Sequence, residues 1–210
     1  MLIESITPVT KERSRVKLET GETFVLYKGE LRILKLKEQS DLAPEIYNQI
    51  MTVILPKRAK LRAMNLLKSK AYTEYQLRKK LSEGGYPDSV TDVAVEYVKS
   101  YGYVNDKEYA LEFIRLESSN RSKKELYLKL SQKGIGKEIL DAAFEEVYGS
   151  FKDARDVSYD SEKDVVLKTL KKRGYRKDFS YEERQKMLAY FYRRGFDMDL
   201  VYNAMDDFDF

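Results

Sequence analysis

Basic side chains gather in three stretches of the sequence. Residues 57–80 hold nine lysines and arginines against one acid, Glu74, and residues 168–177 hold six with no acid. A third set lies on both sides of Ser122. Charge segregation of this kind is typical of a surface that follows phosphates or an acidic protein groove. A solvated helix face is the common alternative.

Thirteen of these cations are candidate contacts to an anionic partner. They are Arg58, Arg62, Lys68, Lys70, Arg78, Lys79, Lys80, Arg121, Lys123, Lys124, Lys129, Lys172 and Arg173. Contacts to a nucleic acid would be mainly to phosphates, which position the protein without reading sequence. Tyr72, Tyr75, Tyr101 and Tyr103 lie near basic residues and could stack on bases, but packing between helices is the favoured interpretation.

The composition argues against catalysis. The chain has no histidine and no cysteine, so the usual general base, thiolate chemistry and cysteine-bound zinc are excluded. The paired acids Glu145-Glu146 and Asp206-Asp207 do not share a helix face, because neighbours in sequence point in different directions. We therefore predict a protein that is not an enzyme and that uses no cofactor and no metal.

The same composition bears on where the protein works. The lack of cysteine favours a reducing compartment, and the N-terminus shows no apolar signal region. No apolar run approaches the roughly 18 residues that span a bilayer. We predict a cytoplasmic protein that does not contact a membrane.

One phrase recurs three times, as QLRKKLSEGGY, ELYLKLSQKGI and KMLAYFYRRGF. Aligned on Gly85, Gly134 and Gly195, all three copies are apolar eight and four residues before the glycine and one, five, nine and thirteen after it. This spacing predicts a helix, a glycine turn and a second helix. Capping boxes at Thr73, Ser122 and Ser180 mark the start of each copy.

A further amphipathic helix precedes each copy, at approximately 57–69, 106–119 and 161–173. The sequence thus predicts three tandem three-helix repeats, each marginal alone, that form an elongated, curved array. Before residue 43 the period is two. Val16 with Leu18, and Phe24 with Leu26, predict a hairpin that turns at 20–22, and residues 3–7 predict a third strand, whereas 31–36 is ambiguous between strand and helix.

The fold class is therefore mainly α, with a small N-terminal subdomain that contains a β-hairpin. The predicted divisions are 1–42 for that subdomain, 43–56 for a connecting helix, 57–104 and 105–149 for two repeats, 150–160 for a joint, and 161–210 for the third repeat. The three glycines are assigned to turns and not to chemistry. The hairpin either caps the first repeat or adds a contact surface.

The segment AYTEYQLRKKLSEGGYPDSVTDVAVEYVKSYGYVNDKEYALEFI, followed by RSKKELYLKLSQKGIGKEILDAAFEEV, resembles the RecX family of recombination regulators. The resemblance covers 57–148 well and 161–208 more loosely. It implies a protein that binds the RecA recombinase and its filament on DNA. It further implies modulation, usually inhibition, of strand exchange, ATP hydrolysis and co-protease activity, with the basic faces in contact with the filament or DNA.

Two features depart from the family pattern, and two other functions remain open. Lys68 to Tyr72 replace an Arg-rich approach to the first capping box, and the third repeat carries an insert, GYRKDFSYEER. We expect a monomer that also binds single- and double-stranded DNA weakly and without sequence preference. The alternatives are a helical nucleic-acid-binding protein with no filament partner, and a helical adaptor that ignores nucleic acid.

Overall fold

The computed structural model describes residues 1–149 and 155–208, and side chains throughout these ranges except at 155–161. The chain divides into two compact units, Met1–Asn105 and Asp106–Phe210. The first unit opens with an antiparallel sheet in the order β1-β2-β3. Its strands are β1 (Ile3–Pro8), β2 (Arg13–Leu18) and β3 (Thr23–Tyr27).

The period-two pattern places one face of the sheet in the core. Val16 pairs with Phe24 across the β2–β3 ladder, and both are fully buried, as are Leu18 and Leu26. Alternation along a strand sends the intervening side chains to the opposite face. The predicted hairpin and third strand are therefore confirmed.

Helices begin directly after β3. The first, α1 (Lys28–Ile33), includes the first half of the ambiguous stretch 31–36, which is therefore helix and not strand at its start. After α2 (Pro44–Gln49), a π-helical segment, Ile50–Ile54, leads without a break into α3 (Leu55–Leu67). Pro56 is the second residue of α3. It lies in the first turn of α3, where its missing amide hydrogen costs little, directly after the π-helical segment.

The remaining helices follow the repeat pattern. They are α4 (Glu74–Glu83), α5 (Asp88–Ser100), α6 (Asp106–Glu117), α7 (Lys123–Gln132), α8 (Lys137–Phe144), α9 (Arg155–Lys172), α10 (Tyr181–Arg193) and α11 (Met198–Asp206). A π-helical segment, Glu145–Gly149, extends α8. Helix α9 begins at Arg155, six residues before the predicted start at Ser161. This start lies within 150–160, the stretch predicted as a joint. Residues 150–154 of that stretch lie outside the described residues.

The three aligned glycines occupy equivalent turns. Their φ angles are +82° at Gly85, +83° at Gly134 and +74° at Gly195. In each turn the next residue donates its backbone N–H to the carbonyl five residues back, at 3.2–3.3 Å, as from Tyr86 to Leu81. This left-handed helix ending favours glycine, because a side chain at positive φ meets the following carbonyl.

Side-chain caps fix the helix starts. The side chains of Thr73 and Ser180 each accept a bond from the amide three residues on, and their own amides donate the reciprocal bond to the side chain of that residue, which confirms these two capping boxes. Ser122 accepts from the amide of Glu125 at 3.1 Å. The Glu125 carboxylate accepts bonds from arginines instead, as described below.

Each unit has its own hydrophobic core. In the first unit the inner face of the sheet packs with α3, α4 and α5 around residues such as Leu55, Leu77 and Val95. In the second unit one cluster joins α6, α7 and α8, and another joins α9, α10 and α11. Burial of this apolar surface is the main stabilising contribution in both units.

Candidate interaction surfaces

Arg58, on α3, holds the sheet and α1 against the first repeat. Its Nη1 donates to Glu30 Oε2 at 2.8 Å and to the carbonyl of Val25 at 3.3 Å. The guanidinium lies 4.3 Å from the centre of the Tyr27 ring. Since the pair with Glu30 is mostly buried, Arg58 is a structural residue as well as a candidate contact.

The cations of α4 are partly neutralised by local carboxylates. Arg78 donates to Glu74 at 2.9 Å and also pairs with Asp92 on α5. Lys80 pairs with Glu83 at 2.8 Å. Partial burial disfavours ionisation of Glu74, but bonds from Lys99 and Arg78 outweigh it and lower the pKa of this carboxyl. These ion pairs reduce the charge that α4 offers to a partner.

Other cations of the first set face solvent. Arg62, Lys68 and Lys79 are exposed, and within the described residues they make no ion pair. The Nζ of Lys70 lies 4.8 Å from the centre of the Tyr72 ring, which is itself buried. The first set therefore contains both structural cations and cations available for binding.

A groove of about 650 Å³ separates the N-terminal sheet from α3 and the turn after α4; we call it the sheet groove. Five cations line it, namely Arg13, Arg15, Arg58, Arg62 and Lys80. One acid, Glu83, and two rings, Tyr27 and Tyr86, are also in its wall. Burial raises the pKa of Tyr86, although Arg58 and Arg13 act in the opposite direction. This arrangement suits a phosphate-bearing ligand.

The basic set around Ser122 is largely structural. Arg121 donates to Glu117 at 2.6 Å and also pairs with Glu125. Arg194 pairs with the other oxygen of Glu125 at 3.0 Å and donates to the carbonyl of Asn120 at 2.7 Å. Burial disfavours ionisation of Glu125, but the two arginines outweigh it and lower its pKa. These bonds join the second and third repeats.

The lysines that follow Ser122 also pack against the protein. The Nζ of Lys123 lies 4.5 Å from the centre of the Tyr148 ring. The side chain of Lys124 packs against Gly195. Burial, with a smaller effect of Glu162, raises the pKa of Tyr148 to about 12. Lys129 is half-buried on α7. This set offers less free charge than the sequence suggests.

A second groove, of about 780 Å³, lies between α9 and α10; we call it the α9–α10 groove. Its cations are Lys168, Lys172, Arg173, Lys186 and Arg194, and Glu183 is an acid in its wall. The guanidinium of Arg173 lies 3.8 Å from the centre of the Tyr190 ring. The structure thus brings Lys172 and Arg173 together with Lys168, from the same basic stretch, and with two cations that were not predicted, Lys186 and Arg194.

The grooves contain four cations that sequence reasoning missed: Arg13, Arg15, Lys186 and Arg194. Arg13 and Arg15 alternate along β2, so their position on one face of the sheet could have been read from the sequence. Arg194 directly precedes a turn glycine, but nothing local shows that it reaches the second repeat. Conversely, eight of the thirteen predicted cations line neither groove: Lys68, Lys70, Arg78, Lys79, Arg121, Lys123, Lys124 and Lys129.

The fold and the two grooves together define a class of protein. Among the described residues, no group of three carboxylates is placed to hold a metal ion. In the same parts of the chain, no helix is both long and apolar enough to cross a membrane. The chain is a helical-repeat protein with an N-terminal sheet, and it carries two grooves that are each lined by five cations.

Comparison with known proteins places this class in a family. Residues 59–97 match the first three-helix domain of RecX, and residues 170–205 match the third. The chain is 30% identical over 187 residues to the regulatory protein RecX of Caldanaerobacter subterraneus subsp. tengcongensis, covering 89% of this chain and 85% of that protein. It is 25% identical over 196 residues to that of Finegoldia magna, covering 91% of both. The chain belongs to the RecX family.

The fold agrees with this membership. A crystal structure of a regulatory protein RecX superimposes with a TM-score of 0.62 at 22% identity, covering 98% of this chain and 99% of that one. The prediction of a mainly helical chain of three-helix repeats after a small sheet is confirmed. Because its relatives are named as regulatory proteins, a regulatory role follows for this chain.

Proposed function

We propose that this protein binds the RecA recombinase, in particular its filament on DNA, and inhibits strand exchange, ATP hydrolysis and co-protease activity. Membership of the RecX family is the observation that carries this proposal. The protein would act as a monomer in the cytoplasm, without catalysing a reaction of its own. DNA would be a second, weaker partner.

The distribution of charge supports a long anionic partner. Each unit contains one groove lined by five cations, and exposed cations such as Arg62, Lys68 and Lys79 add to the first. Contact at two separate surfaces of one chain raises the effective concentration of the second contact once the first has formed. A filament offers repeated sites to such a chain, whereas a single small protein does not.

One observation favours the alternative of a nucleic-acid-binding protein with no filament partner. Both grooves combine cations with tyrosine rings, which is the composition of surfaces that bind single strands. The two functions differ in their partner dependence. A plain DNA-binding protein needs no RecA and loses affinity steeply as salt rises.

The proposal is tested by RecA strand exchange and by RecA ATPase activity on single-stranded DNA, with the protein added below equal stoichiometry. We expect inhibition by the wild type and at least a severalfold higher half-maximal dose for an Arg62→Glu/Lys79→Glu variant. These cations make no ion pair in the described residues, so the variant should fold. Unlike Arg78 and Lys80, they can be reversed without stranding a partner carboxylate.

The matched control is Arg32→Glu/Lys37→Glu, which makes the same charge change at exposed positions in the same unit, outside the sheet groove. It should inhibit RecA as the wild type does. No inhibition by the wild type at saturating protein would contradict the proposed function. If the control raised the half-maximal inhibitory dose as much as Arg62→Glu/Lys79→Glu does, the first basic set would not be the surface that contacts RecA.

A further inference from the structure

The sheet groove is built by parts of the chain that are far apart in sequence: the N-terminal sheet, α3 and the turn after α4. Arg13 and Arg15 leave β2 on the face opposite the core, where their cross-strand partners are Tyr27 and Val25. Residues paired across an antiparallel ladder share a face. The opposite wall comes from α3 and from the turn at Gly85. The N-terminal sheet therefore supplies one wall of the groove.

Three of the four arginines in the groove are not paired with an acid in the described residues. Arg13, Arg15 and Arg62 make no ion pair within the described residues, whereas Arg58 is bound to Glu30. The carboxylate of Glu83, in the groove wall, is paired with Lys80. Three arginines thus face a concave surface with a local excess of positive charge. Guanidinium groups of this kind match phosphate oxygens in geometry as well as in charge.

Aromatic rings are interleaved with these cations. The Tyr27 side chain is 45% exposed at the groove. Leu61, which is 58% exposed, separates the groove from a hollow on the other side of α3 that Lys60 and Tyr97 line. An acidic polypeptide would need the cations but not the rings. A cationic groove with an exposed ring matches surfaces on which the phosphates and an unstacked base of a single strand bind together.

We propose that the sheet groove binds single-stranded nucleic acid directly. Arg13, Arg15 and Arg62 contact consecutive phosphates, and a base packs on the exposed ring of Tyr27. This inference deepens the proposed function, because Arg62 belongs to the first basic set, but its test contains no RecA. The N-terminal sheet is then a nucleic-acid-binding element of the chain.

The first test measures fluorescence anisotropy of a labelled oligothymidine with the full-length protein across a range of salt concentrations. The variant Arg13→Gln/Arg15→Gln should bind roughly tenfold more weakly at low salt. Its slope of log affinity against log salt should be shallower by about 1.4, because each phosphate that a cation neutralises on a single strand contributes about 0.7. The control Arg32→Gln/Lys37→Gln removes the same charge outside the groove and should keep the wild-type slope.

The second test separates a strand from an acidic polypeptide. Tyr27→Leu should weaken oligothymidine binding about fivefold or more, with little effect on an abasic oligonucleotide of equal length. A polyglutamate peptide that displaces the labelled oligothymidine as well as unlabelled oligothymidine of equal charge does would overturn the proposal. The groove would then be a binding site for an acidic protein. Wild-type affinity in the Arg13→Gln/Arg15→Gln variant would also overturn it, whatever the protein does to RecA.

Discussion

Gly85 combines two backbone roles that another residue could not meet together. Its φ of +82° is left-handed, and a Cβ added to it would lie 2.2 Å from Cγ2 of Val25. Its carbonyl accepts a bond from the amide of Val25 at 3.2 Å. The turn of the first repeat is thereby held against β3. Because Val25 is β-branched and buried, it has little freedom to move away.

The first prediction compares two glycines with similar backbone. Gly85→Ala should lower the free energy of unfolding by about 3 kcal/mol, from the left-handed conformation and the clash with Val25 together. Gly102→Ala, at φ +71° with open space around it, should cost only about 1 kcal/mol. Urea titrations followed by circular dichroism give both values. Equal losses would show that the contact with Val25 is unimportant.

The second prediction concerns acid. The pKa of Glu125 is lower in the folded chain, so its ion pairs contribute stability above the unfolded pKa of about 4.3, and this contribution is lost as pH falls through the folded value. Glu125→Gln should therefore have a lower melting temperature than the wild type near neutral pH. The difference should shrink below pH of about 4, measured by thermal scans across a pH series.

Its control is Glu138→Gln, at an exposed carboxylate that makes no ion pair within the described residues. The control should follow the wild-type pH dependence. A Glu125→Gln variant whose melting temperature runs parallel to the wild type through the acid range would contradict the role given to Arg121 and Arg194.

At the scale of elements, the start of α7 joins two repeats. Ser122 caps α7 through the amide of Glu125, and its hydroxyl donates to the carbonyl of Arg194 at the end of α10. Ser180 makes a comparable cap on α10 at an exposed position. One hydroxyl thus serves both a helix start and a contact between repeats.

The third prediction follows from this difference. Ser122→Ala should cost about 2 kcal/mol, because it removes the cap and leaves the carbonyl of Arg194 without that bond. Ser180→Ala should cost about 1 kcal/mol for the cap alone. Both values come from urea midpoints. A smaller loss for Ser122→Ala than for Ser180→Ala would contradict the joining role of the α7 start.

The sequence was most informative where a local rule decides the structure. The glycine alignment and the period-two pattern predicted turns and strands, because backbone conformation and burial act over a few residues. The start of α9 was missed because 155–160 is polar, so it shows no apolar period, yet contains no Gly or Pro to stop a helix.

The candidate surface was harder to predict, since charge compensation depends on tertiary contacts. Arg58 pairs with a carboxylate 28 residues away, and Arg78 with one 14 residues away. A run of cations in a sequence does not show which of them face such partners. The grooves also combine β2 with α3, and α9 with α10, so their composition depends on how these elements pack.

At the scale of the whole molecule, each unit carries its own core and its own basic groove. The cluster of the first unit draws only on residues before Asn105, and those of the second only on residues after it. We predict that residues 1–105, expressed alone, fold cooperatively, since the sheet and the first repeat bury each other's apolar faces. A chain that shows no urea transition would contradict this division.

The central claim is that the filament, and not bare DNA, is the main partner. Cosedimentation of the labelled protein with RecA filaments on single-stranded DNA, beside the same DNA without RecA, tests it across a salt series. The account predicts binding to filaments at salt concentrations of about 0.2 M, where binding to the bare strand has fallen by orders of magnitude. Equal affinity for both, with the same salt dependence, would contradict it and leave a nucleic-acid-binding protein.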